Sequence, residues 1–213
     1  MKKFLLIFVA LGVASSQGPS PNSAPLRGDR FKPLAYDQMT PEQKKMADLV
    51  MSVKIQGGTG GPFNVLLRSP ALGEAVVRYG EYVRFRSPLP AKLNELAALI
   101  TTRYWTAQFP WYAHHRAAVQ AGLKEAIISA IAEGRRPESM TPDEEAIYNF
   151  CTELLKTSEV SDATFRAAKD KLGEAGVVEL LGIVGYYGTV SMLVNTDRYP
   201  LPEGVMPELK PLP

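Results

Sequence analysis

Residues 95–115 read Glu95-Leu96-Ala97-Ala98-Leu99-Ile100-Thr101-Thr102-Arg103-Tyr104-Trp105-Thr106-Ala107-Gln108-Phe109-Pro110-Trp111-Tyr112-Ala113-His114-His115. Two helical patterns meet here around Pro110. On the first, Leu93, Leu96 or Ala97, Ile100 and Tyr104 recur at helical spacing and predict one buried stripe, with Glu95 off its centre beside Leu99. On the second, Trp111, His114, His115 and Ala118 fall at i, i+3, i+4 and i+7 and share a face. The break between them is short, so an antiparallel hairpin is expected, and the Glu95 end can approach His114. A carboxylate meeting an imidazole beside an aromatic wall has the parts of an acid–base site. The competing reading leaves Glu95 a solvated helix residue and the histidines at a core edge. Arg103 and Arg116 on the same helices could hold an anionic substrate, although helix arginines are more often surface charges.

The helical punctuation continues outward in both directions. Thr40-Pro41-Glu42-Gln43 predicts a capped helix start with a capping box, and the helix ends before Gly57-Gly58-Thr59-Gly60-Gly61. Ser69-Pro70 predicts another helix, reaching about Phe85. Pro88 and Pro90 break the chain before a helix over 91–107. Pro110 opens the next helix, which stops near Gly122, and a short one spans Lys124 to Ala132. Thr141-Pro142-Asp143-Glu144 repeats the first capping pattern. Ser161-Asp162 begins a helix expected to end at Gly176, and a strongly apolar one follows from Val177 to about Asn195. No segment alternates as a strand does and no βαβ pattern occurs, so the class is all-α. Gly182, Gly185 and Gly188 sit three apart on the last helix, which points to close helix approach and a subunit contact.

Composition bounds the function. The chain has 213 residues, 46% hydrophobic, with a formal charge of +2, and removal of Lys2 and Lys3 brings the mature chain close to neutral. A near-neutral mature chain argues against a nucleic-acid partner, which needs a clustered basic surface. Lys2 and Lys3 followed by the apolar run Phe4 to Val13 and the small residues Ala14, Ser15 and Ser16 predict a signal peptide over 1–16. That run is too short for a membrane anchor, so export to the periplasm or outside, with no membrane association after cleavage, is expected. A Pro/Ser-rich linker over 17–35, a helical domain over 36–198 and a Pro-rich tail over 199–213 complete the organisation.

Cys151 is the only cysteine, which excludes an internal disulfide, a C-x-x-C pair and a cysteine zinc cluster. Its place in an amphipathic helix predicts a buried apolar role. The glycine run lacks the Gly-Lys-Ser/Thr of a phosphate loop, and neither H-E-x-x-H nor G-x-S-x-G occurs. His114 and His115, the only histidines, point about 100° apart on a helix and are poorly placed to share a metal. No cofactor and no metal are expected.

Glu95 followed nineteen positions later by His114, with Trp111 just before it, resembles the carboxymuconolactone decarboxylase family, which includes the AhpD-like alkylhydroperoxidases. The redox branch of that family carries Glu-x11-Cys-x2-Cys-x3-His. Here Glu95 and His114 fit, while Ala107 and Pro110 stand at the cysteine positions, as in the cysteine-free members. The stretches Gly61 to Pro70 and Leu181 to Tyr187 are similar to further family segments. The likeness thus runs from about Tyr36 to Met206.

The resemblance implies an AhpD-like all-α helical bundle assembled as trimers or hexamers, with sites near subunit contacts. It implies cofactor-free decarboxylase or lactone-type chemistry on a small organic acid. His114 would be the general acid/base, Glu95 its partner, and Phe63, Trp111 and His115 the pocket lining. The alternatives are the peroxidase activity of the AhpD-like branch, which uses two thiols, and a non-catalytic oligomeric binding protein.

Overall fold

The structure, a computed structural model, describes residue 28, residues 30–53 and residues 58–212. The expected signal peptide and most of the linker lie outside the described residues. Among the described residues, eight α-helices follow a short 3-10 turn at Tyr36–Gln38: α1 Pro41–Ser52, α2 Pro62–Leu66, α3 Pro70–Phe85, α4 Ala91–Tyr104, α5 Gln108–Gln120, α6 Glu125–Ala132, α7 Pro142–Thr157 and α8 Asp162–Asp197. No strand occurs among the described residues. The class is all-α, as the sequence predicts.

The capping chemistry forms as written in the sequence. At α1 the Thr40 hydroxyl accepts from the Gln43 amide at 3.3 Å while Gln43 Oε1 accepts from the Thr40 amide at 2.9 Å. Thr141 and Glu144 repeat this exchange at α7. Ser69 precedes α3 without a side-chain capping bond, so Pro70 alone marks that start. Pro110 lies inside the first turn of α5, which opens two residues earlier at Gln108.

Helix α4 is the centre of the molecule. It packs against α5, α7 and α8 and buries Leu93, Asn94 and the unbroken run Leu96 to Arg103. A helix covered on every side has no single stripe. Tyr104, expected in the buried stripe, is 45% exposed, because the helix ends there and its ring turns out edge-on to Trp105.

The two helices expected on either side of Gly176 form one element, α8. Its break falls at Gly173, whose φ of 71° and ψ of 172° are open to glycine but strained for a residue with a Cβ. The glycines at 182, 185 and 188 face this chain's own aromatic groups. Tyr79 Oη donates to the Gly182 carbonyl at 2.6 Å, a Cβ on Gly185 would lie 3.2 Å from Tyr79 Oη, and one on Gly188 would lie 3.6 Å from Trp105 Nε1.

Both flanking segments are irregular yet tied down. Arg30 and Phe31 bond to Thr196 and Asp197 at the end of α8, and Asn64 and Arg68 donate to the carbonyls of Phe31 and Lys32. The Pro-rich tail has no helix, but Leu209 is buried and its backbone exchanges two bonds with the Gln108 amide group.

Candidate active site

The α4–α5 hairpin turns at Trp105 to Ala107. Thr106 takes a left-handed φ of 47°, and the Thr106 and Ala107 amides close back onto Arg103 and Thr102 at 2.9 Å each. This ending reverses the chain within three residues. Glu95 lies nine residues before the end of α4 and His114 six beyond the start of α5, a difference in depth of about 4.5 Å at about 1.5 Å per residue that the two side chains span. His114 Nδ1 and Glu95 Oε2 are 2.6 Å apart.

The pair is enclosed without being sealed: the His114 side chain keeps 6% of its surface and that of Glu95 17%. The carboxylate fixes the imidazole with its proton on Nδ1, which leaves Nε2 as the working nitrogen. Nε2 makes no hydrogen bond among the described residues.

Tyr187 of α8 completes one wall. Its ring meets that of His114 edge-on at a centroid distance of 4.5 Å, and its hydroxyl is buried with no hydrogen-bond partner among the described residues. Burial, reinforced by the nearby negative charge of Glu95, pushes the Tyr187 phenol well above its ordinary value, so it stays protonated. Sequence reading missed Tyr187. It stands in the Leu181–Tyr187 stretch singled out for α8, but nothing local says which side chain of that helix reaches α5.

His115 and Trp111 serve a different surface. His115 bonds Glu208 of the tail through Nδ1 at 2.7 Å and Glu125 of α6 through Nε2 at 3.0 Å. Trp111, fully buried, donates its indole N–H to the same Glu208 oxygen at 2.8 Å. The two residues line a half-open cavity of about 450 Å³ walled on one side by the tail, which neither Glu95 nor His114 lines. Adjacent positions on a helix diverge by about 100°, and here that divergence separates the two histidines. Burial works against a charge on His115, but bonds to Glu208 and Glu125 outweigh it and raise its pKa. The tail's contribution through Glu208 carried no sequence signal.

Phe63 is buried in α2 within the common core. Arg116 lies against the Tyr112 ring, whereas Arg103 is buried. Cys151 is fully buried in α7, and burial pushes its thiol up, away from the reactive thiolate. Among the described residues no cluster of three or more His, Cys, Asp or Glu side chains has the geometry to hold a metal ion.

No family model matches the chain, and no curated protein matches it in sequence. Solved structures do match its fold. A protein of unknown function from Agrobacterium tumefaciens, ATU0492, described in connection with the antioxidant defence protein AhpD, aligns with a TM-score of 0.59 at 20% identity over 67% of this chain and 99% of its own. The debrominase Bmp8 without ligand aligns with a TM-score of 0.64 at 12% identity, over 82% of this chain and 93% of its own. A cysteine-to-alanine variant of Bmp8 in complex with 2,3,4-tribromopyrrole gives 0.61 at 14%, over 82% and 92%. The fold is therefore AhpD-like.

Proposed function

We propose that this chain is a cofactor-independent acid–base enzyme acting on a small organic acid or lactone, in the manner of the carboxymuconolactone decarboxylases. The observation that carries the reading is the 2.6 Å Glu95–His114 pair, enclosed in an AhpD-like fold in which alanine and proline replace the thiols of the redox pattern. His114 Nε2 exchanges a proton with substrate, and Glu95 holds the imidazole and stabilises the imidazolium that forms. In a decarboxylation the C–C bond to the carboxylate breaks, its electron pair stays on carbon as an enolate, and the imidazolium protonates that carbon. The lone buried thiol of Cys151 disfavours a thiol peroxidase reading.

The test is turnover of β-keto acids and carboxylated lactones by the wild-type protein and His114→Ala. A loss of about 10²–10⁴-fold is expected for removal of a general acid/base. Equal turnover by both proteins excludes the assigned role, and Glu95→Gln should fall between them.

The same proposal extends to the setting of the enzyme. Residues 1–16 act as a signal peptide, so cell fractionation should find the chain outside the cytoplasm, beginning near residue 17. Subunits associate as trimers or hexamers; a monomer by light scattering at micromolar concentration would exclude this.

A further inference from the structure

Arg103, flagged in the sequence as an anion holder, is a buried cation with no counter-ion among the described residues. Only 4% of the residue is exposed, and no carboxylate lies within 4 Å of its guanidinium among the described residues. It donates to the Thr106 hydroxyl at 3.2 Å and to the Lys210 carbonyl at 2.8 Å, while Nε is buried with no partner among the described residues. Buried charges are ordinarily paired, because removing a charge from water is costly without a compensating partner. Burial, with no carboxylate to offset it, also pulls this guanidinium below its ordinary pKa.

The half-open cavity of about 450 Å³ beside the tail is lined by this same Arg103. Its two carboxylates are already engaged: Glu208 accepts from Trp111 and His115, and Glu133 accepts from Arg135. Among the described residues, Arg103 and Lys210 are the lining charges left without an ion pair, and both are positive. Ile128, Pro211 and Leu212 supply apolar lining. The volume suits a small ligand, and a guanidinium matches a planar carboxylate with two parallel hydrogen bonds.

We propose that this cavity is a second ligand site, separate from the Glu95–His114 pair, which binds a small organic carboxylate with its charge on Arg103 and Lys210 and its apolar body against Ile128 and Pro211. Because Lys210 and Pro211 belong to the tail, ligand binding fastens the tail.

The test is calorimetric titration of the full chain with benzoate, with inorganic phosphate as a comparison anion. Benzoate should bind saturably to wild type and to His114→Ala alike, and roughly tenfold or more weakly to Arg103→Met, in line with loss of a charge-assisted pair. Lys210→Met, on an exposed side chain that the core does not need, should weaken binding as well. Circular dichroism confirms that each variant is folded. Unchanged benzoate affinity in both cation variants overturns the proposal, as does phosphate binding without benzoate binding. Loss of benzoate binding in His114→Ala alone assigns the ligand to the acid–base pair and overturns it too. Failure of the turnover test with retained benzoate binding leaves this site standing, because it does not rest on the enzymatic reading.

Discussion

Tyr187 carries a hydroxyl that is buried and unpartnered among the described residues, and its removal has a defined sign. An unsatisfied buried polar group costs about 1–3 kcal/mol, so Tyr187→Phe, which keeps the ring against His114, should raise stability by about 1 kcal/mol. Urea unfolding measures this, and a clear fall would show that the oxygen has a partner. Cys151 gives a second expectation: alkylation by iodoacetamide should occur only as the protein unfolds. The Glu95–His114 pair was legible in the sequence because helical spacing and one short turn determine it. Tyr187 was not, because its contact depends on where a helix some seventy residues later comes to lie.

Helix–helix contacts set sharper limits than helix propensity does. Gly80 of α3 lies under Tyr186 of α8, and a Cβ there would sit 2.2 Å from the Tyr186 hydroxyl oxygen. Gly80→Ala should destabilise by about 1–3 kcal/mol despite alanine's better helix propensity. At α7, Glu144 is buried against Lys92 at 2.7 Å. Burial opposes its charge, but bonds from Lys92 and Thr141 outweigh this and lower its pKa. A carboxyl lowered in the folded state contributes stability above its ordinary value, which is lost as pH falls through the lowered one. Lys92→Met should therefore move acid unfolding to higher pH, as followed by far-ultraviolet dichroism. Caps and prolines made most helices readable. The five-residue α2 was too short to show a period, and the α8 break lay at Gly173 because backbone geometry, which composition does not reveal, decides which glycine bends.

Taken whole, the molecule is a helical body with a strap across one side. His115 joins strap to body through Glu208 and Glu125, and its pKa is raised. A histidine raised in the folded state contributes fully below its ordinary value, and that contribution is lost as pH climbs through the raised one. Limited proteolysis of residues 199–212 should thus accelerate with rising pH in wild type, and lose that dependence in His115→Gln. A rate independent of pH in wild type would exclude His115 as the fastening. Proline content announced the lack of helix in this segment, but docking is a property of the surface beneath it.

That fastening also has an optical consequence. The chain holds two tryptophans, and Trp111 sits with its N–H on Glu208 and its ring edge-on to the His115 imidazole at 6.2 Å. Imidazolium quenches indole emission, and burial shifts that emission to the blue. Departure of the strap removes Glu208, which favours the charged form of His115, and uncovers Trp111, so its emission should brighten and redden, and an unlabelled sample in a cuvette reports whether it is strapped or open.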